Sequence, residues 1–276
     1  MFNDMLLSEL LIYLVGLIST GVVAGLIAGL FGVGGGIVIV PILFWIFTSL
    51  NFPEEILMHM AIGSSLATII PTSIASARAH YKRESIDIDV LKKWGFGIFL
   101  GALIGGFLGK FFSANELKYL FACIAFIVAL NMFIKKPLKF SNRLPKSRII
   151  NTLISFVIGF MSTLMGVGAG TIGVPSLVLL SIPIHRAIGT AAALGLFISI
   201  PATFGLAFSG FDVPNRPPMS IGYVNVIAFL IMFPLTVFFA PIGVKIAHLI
   251  NQRVLKIIFG VFLIITSTKM LISILF

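Results

Sequence analysis

At 276 residues, with 59% hydrophobic and only 10% charged side chains and a mean hydropathy of +1.15, the chain is far more apolar than a soluble domain, where about half of the residues are apolar and roughly a quarter charged. A soluble fold is excluded. A bilayer crossing takes about 20 apolar residues, so this length holds roughly eight to ten crossings with short loops and no separate catalytic domain. The net charge of +10 is spread over short loops, where the positive-inside rule expects it, and calls for no nucleic-acid partner.

In chain order, Met1 to Glu9 carries Asp4 and Glu9 but no basic residue, unlike the start of a cleaved leader, so the first apolar stretch is expected to stay as a helix. Apolar runs lie near 9–31, 36–50, 58–77, 94–112 and 117–134. Residues 135–148, KKPLKFSNRLPKSR, hold six Lys or Arg, two prolines and no acid, and read as a cytoplasmic linker. A second series follows near 149–166, 170–183, 187–209, 222–247 and 254–276. The expected organisation is all-α and polytopic: a first membrane repeat over 1–134, the linker, and a second membrane repeat over 149–276. Cys123 is the only cysteine, so no internal disulfide or thiolate metal cluster forms, and neither a metal nor a cofactor is expected.

The two series repeat one another. GLIAGLFGVGGGIVIVP from Gly25 to Pro41 aligns without a gap on GFMSTLMGVGAGTIGVP from Gly159 to Pro175. Farther on, the hexapeptide starting at His59 (HMAIGS) aligns on the one starting at His185 (HRAIGT), and Leu117 to Phe121 on Leu255 to Phe259. Three matches in one order point to duplication of a whole unit. With the linker inside and each run crossing once, most of the 19 Lys and Arg fall inside and both termini outside. Merging the first two runs of each half would need a helix of roughly 63 Å against a hydrocarbon core of about 30 Å. An odd number of passes per half makes the repeats inverted. Whether the first two runs of each half cross fully or form a re-entrant pair stays open, since both return the chain to its starting side.

The second run of each half is short and follows a glycine cluster: Gly32, Gly34, Gly35 and Gly36 in one, Gly166, Gly168 and Gly170 in the other. Glycine weakens a helix interior by about 1 kcal/mol relative to alanine, so the clusters predict breaks within the membrane. Broken backbone is tolerated there only when buried in protein or lining a watery cavity. Helix N-termini beginning at such a break offer N–H groups and a positive dipole end to an anion, and paired breaks in inverted halves point to a transporter site. Close helix packing is the other reading of these glycines. Ser64, Ser65 and Thr190 open the third runs, with Ser64 and Thr190 at matched positions; their hydroxyls could donate to an anion or serve neighbouring helices. His59 and His185 are matched candidates for gating or proton handling, with interfacial structural roles as the alternative, and Arg186 reads as an anion lure or a positive-inside anchor. No Asp or Glu sits at the centre of any run, which leaves the coupling ion open between proton and sodium.

At these residues the chain resembles the sulfite exporter TauE/SafE family of membrane transporters. The duplicated glycine motif, the A-x-G-[ST] start of the third runs, the connector HYKRESIDID from His80 to Asp89 and the closing L-x-x-x-F helices carry the likeness. The resemblance implies a bacterial inner-membrane carrier for sulfite, a sulfonate or a similar small sulfur-containing anion, in either direction. Ala169 stands where the first half has a middle glycine, and Ala191 where the family often has serine after the Thr190 position. A passive anion channel or a membrane scaffold are the competing readings. An enzyme is disfavoured by the lack of an HExxH motif, paired intramembrane acids or a cysteine cluster.

Overall fold

The computed structural model describes residues 7–133, 144–249 and 251–275; residues 134–143, which hold most of the expected linker, lie outside the described residues. The first half forms α1 (Leu7–Phe31), α2 (Gly36–Ser49), α3 (Glu54–Tyr81), α4 (Ile88–Leu108), a short 3-10 turn (Gly109–Phe111) and α5 (Ala114–Phe133). The second forms α6 (Arg148–Leu164), α7 (Gly170–Leu179), α8 (Ile184–Ser209), a two-stranded hairpin of β1 (Ser220–Ile221) and β2 (Val224–Asn225), α9 (Val226–Ala247) and α10 (Gln252–Leu275). The ten apolar runs are ten helices, so the protein is an all-α polytopic membrane protein, with six of the described helices long and apolar enough to cross a bilayer. The run expected to be helical from 222 instead begins with the hairpin, because Gly222 adopts φ +54 and turns the chain back.

Apolar side chains cover the outside as well as the core: Phe96, Ile149, Phe204 and Phe238 are all more than 60% exposed. Bare apolar surface on this scale suits lipid, not water.

The helices pair across the halves. α1 runs parallel to α9, with Gly21, Gly25 and Gly29 set against Met232, Thr236 and Ala240. The repeat-related pair, α4 and α6, uses the same device: Gly97, Gly101 and Gly105 meet Thr152, Phe156 and Phe160. Glycines four apart form a flat face that lets helix backbones touch, the membrane counterpart of a hydrophobic seam. Asn151 fixes the second pair, taking a hydrogen bond from the Trp94 indole at 3.1 Å and giving one to the Pro145 carbonyl at 2.6 Å.

α3 and α8 cross at the middle in opposite directions. The start of α3 meets the end of α8 through Tyr223, whose ring stacks on His59 at 4.8 Å and whose N–H reaches the Leu206 carbonyl. The end of α3 meets the start of α8, where His80 and His185 both lie against His248. α5 and α10 are also antiparallel, Gly260 facing Phe133. These directions make the halves inverted, with the start of α1 and the end of α10 on one face and the ends joined by residues 134–143 on the other. α1–α2 and α6–α7 are hairpins that return to their starting faces, with short second arms in α2 and α7, about 21 and 15 Å, and an α1 long enough to cross.

Candidate functional site

Each glycine cluster ends one helix and starts the next. α1 stops at Gly32 with φ +66 and α6 at the matched Gly166 with φ +69, the left-handed backbone that closes helices and that glycine adopts without a Cβ clash. The turns then diverge. Gly34 and Gly35 are also left-handed, at φ +72 and +84, whereas Ala169, in the place of Gly35, has φ −60. That is ordinary helical backbone, so a Cβ is tolerated there.

The tips of the two hairpins meet inside the protein. The Gly168 N–H donates to the Val33 carbonyl at 3.1 Å, and the Ser65 hydroxyl donates to the Gly166 carbonyl at 2.7 Å. A Cβ on Gly170 would lie 2.5 Å from the Gly32 carbonyl oxygen, and one on Gly36 would press into that of Gly166. Residues 32–40 and 162–170 are all buried. Ser65 and Ile69, which touch the turns, stand about halfway along α3. The turn pair is therefore central and, in this conformation, packed shut.

Several other helix starts are capped by side chains, Asp87 for α4, Ser113 and Glu116 reciprocally for α5, Ser147 for α6 and Asn225 for α9, while α3 and α8 start behind Pro53 and Pro183 with no side-chain cap. α2 and α7 begin at Gly35 and Ala169 with no side-chain cap. Their first N–H groups and positive dipole ends point into the turn pair.

Ser64 and Thr190 stand outside this contact and form a duplicated joint. The Ser64 hydroxyl accepts the N–H of Asn225, the cap of α9, at 2.8 Å, and the Thr190 hydroxyl accepts the N–H of Asp87, the cap of α4, at 2.8 Å. The glycine before each lets the loop approach: Gly63 lies under Tyr223 and Gly189 under Ser85. The A-I-G-[ST] repeat thus docks the central helix of one half onto the fourth helix of the other. Each hydroxyl keeps its proton to give.

The histidines divide between the two faces. The buried His59 donates from Nε2 to the carbonyls of Gly109 and Phe112, at 3.2 and 3.0 Å; carbonyls only accept, so this nitrogen carries the proton. His59 and Tyr223 line the floor of an open recess of about 610 Å³, with Lys110, Lys118, Glu54 and Glu55 near its rim. Burial pushes the Tyr223 phenol up from its ordinary value, so it stays neutral. On the opposite face His80, His185 and His248 line a small cavity of about 40 Å³ together with Leu30, Val174 and Ile188. His80 donates to the Gly29 carbonyl at 3.2 Å, and His185 stacks on His248 at 5.2 Å. Partial burial, and then the charges of His185 and Arg83, lower the pKa of His248. The exposed Arg186 lies 3.9 Å from the partly buried Asp87, a pair that ties the α3–α4 connection to α8.

A family model described as "Sulfite exporter TauE/SafE" matches residues 17–270. The chain belongs to the TauE/SafE family. Among curated relatives it is similar to a probable membrane transporter protein of Haemophilus influenzae, 34% identical over 91% of this chain and 95% of the other. A probable membrane transporter protein of Methanocaldococcus jannaschii is 30% identical over 90% and 92%, and YunE of Bacillus subtilis 26% identical over 92% and 96%. No solved structure matches. A TauE/SafE chain with such relatives is a multi-pass membrane transporter and not an enzyme.

In this TauE/SafE chain the structure brings together Gly32, Gly34, Gly35, Gly36, Gly166, Gly168, Gly170 and Ser65, and sets Ser64 and Thr190 in the flanking joints. His59 and His185 end on opposite faces, as inversion requires. Sequence reasoning passed over His80, His248, Tyr223 and the Thr72–Thr236 hydrogen bond of 2.6 Å that ties α3 to α9. The one available signal was arithmetic: three of the four histidines stand at helix ends that an inverted pair brings to one face.

Proposed function

We propose that the protein is a secondary transporter that carries a small sulfur-containing anion, such as sulfite or a sulfonate, through alternating access of its two inverted halves. The observation that carries this reading is the meeting of the two glycine turns, tip to tip, halfway along α3. In the closed arrangement the Gly168 N–H and the Ser65 hydroxyl are satisfied by protein carbonyls. When the hairpins part, the same donors, with the uncapped starts of α2 and α7, turn to an oxyanion. These two donors stay paired in both states, where an orphaned group would cost about 1–3 kcal/mol. Ser64 and Thr190 hold each central helix to the opposite half as the halves move and lie beside the anion's path. The chemistry favours an anion because the turns offer the Gly168 N–H, the Ser65 hydroxyl and two positive dipole ends, with no acidic side chain beside them.

In this reading the face joined by residues 134–143 is cytoplasmic, in a bacterial inner membrane, and the His59 recess faces outward. The coupling ion is a proton, handled on the cytoplasmic side by the cluster of His80, His185 and His248. The test is uptake of labelled sulfite, sulfate, thiosulfate and several sulfonates into proteoliposomes, with proton and sodium gradients imposed separately. Saturable, competable uptake driven by a pH gradient supports the reading. Unsaturable flux with single-channel currents would instead make the protein a pore, and a sodium-driven flux would remove the histidines from coupling.

A further inference from the structure

We propose that a groove between the C-terminal ends of α3 and α9 binds the headgroup of an anionic phospholipid. The groove, of about 850 Å³, is lined by Arg78, Lys82 and Arg83 from α3 and the turn after it, and by Val237, Pro241 and Lys245 from α9. Four cations therefore converge from two helices that belong to different halves, and no carboxylate lines the groove. Among the described residues the ion pairs are Lys93–Asp89 and Arg186–Asp87, so none of the four is neutralised. Glu84 follows Arg83 in sequence but is not part of the lining. The Arg83 guanidinium reaches back to the Ala79 carbonyl at 3.1 Å, which holds it over the helix end.

The cations cap rows of lipid-facing side chains. On α3, Ile74 is 41% exposed and lies one turn before Arg78, which lies one turn before Lys82. On α9, Phe238 and Ile242, 67% and 37% exposed, lead to Lys245 along one face. An occupant thus meets bare apolar helix surface at one end of the groove and concentrated positive charge at the other. That is the form of a phospholipid seen from the side. A soluble anion would use the charges and leave the apolar half unfilled, while a zwitterionic lipid would bring its own cation against four others. Basic pockets between membrane helices at the interface recognise anionic headgroups on this principle. The site is separate from the glycine turns and stands or falls independently of the transport reading.

The experiment uses the full chain purified in detergent, native mass spectrometry, and three probes: phosphatidylglycerol, phosphatidylcholine with the same acyl chains, and soluble glycerol phosphate. The expected result is retention of phosphatidylglycerol well above phosphatidylcholine, with glycerol phosphate neither retained nor competing. Each cation near an anionic headgroup contributes roughly fivefold, so the triple variant Arg78→Gln, Lys82→Gln, Lys245→Gln should weaken phosphatidylglycerol binding on the order of 100-fold. Lys110→Gln, on the opposite face, should leave binding unchanged. Equal retention of the two lipids by the unmodified chain would overturn the proposal, as would a triple variant that binds normally. Competition by glycerol phosphate would reassign the groove to a soluble anion and overturn it too.

Discussion

Removing one hydroxyl separates the transport reading from simple helix packing. Ser65 is fully buried and donates to the Gly166 carbonyl at 2.7 Å, so Ser65→Ala deletes a tie that closes the turns and, in the open state, a donor to the anion. The neutral tie contributes about 1 kcal/mol, whereas a hydrogen bond to a charged group contributes about 1.5–3 kcal/mol. Weaker closure offsets part of the lost binding, so the difference of about 0.5–2 kcal/mol should raise KM by about 2- to 30-fold. Ser65→Thr, which keeps the hydroxyl, should recover much of the loss. Initial uptake rates in proteoliposomes, normalised to inserted protein, measure this directly. A KM in Ser65→Ala equal to that of the unmodified chain, for every anion transported, would refute the assignment and leave Ser65 a packing residue.

Four further outcomes follow from the geometry. Gly34→Leu and Gly168→Leu should abolish uptake while protein still reaches the membrane, as a quantitative blot of sedimented membranes would establish; unaltered flux in both would reject the turns as the site. Gly35→Ala forces a Cβ onto left-handed backbone 2.7 Å from the Ala24 carbonyl oxygen, a loss of about 1–3 kcal/mol, whereas Ala169→Gly should lose about 1 kcal/mol or less; thermal unfolding in detergent ranks the two, and the reverse order would contradict the asymmetry of the turns. Thr190→Val strands the Asp87 N–H and Ser64→Ala the Asn225 N–H, so each should destabilise by about 1–3 kcal/mol, and an unchanged melting temperature in either would remove the joint. Since burial and the neighbouring His185 and Arg83 charges hold His248 below its ordinary pKa, Arg83→Gln should move its titration upward toward that value, read from the imidazole resonances; no movement would show that Arg83 does not act on it.

The sequence carried the elements of this fold better than their meetings. Ten apolar runs became ten helices because in lipid the backbone has little choice but to pair within its own segment. The glycine pairs at 32 and 166 were legible as breaks because two inverted copies broke at the same place. Their tip-to-tip contact was not, since nothing local marks Val33 as the acceptor for Gly168. The same holds for Ser64 and Thr190: matched hydroxyls stood out as a pattern, but only the packing of one half on the other reveals that they accept the cap N–H groups of Asn225 and Asp87. Among the described residues Ser65, whose counterpart is Ala191, carries the one hydroxyl that reaches a turn carbonyl. His80 and His248 escaped notice because each ends a helix far from the other in sequence, without a period to link them. The hairpin before α9 was hidden by its own apolar residues, Ile221, Tyr223 and Val224, which extend the hydrophobic run without being helical.

The parting of the turns is most directly tested at Val33, which is 2% exposed in the closed arrangement. With the exposed Cys123 replaced by alanine, Val33→Cys should react with a small water-soluble thiol reagent in transport-competent proteoliposomes, and saturating substrate sulfonate should slow that reaction severalfold. A thiol that never reacts while transport proceeds, or one that reacts equally fast with and without substrate, would contradict an anion held between the two glycine turns.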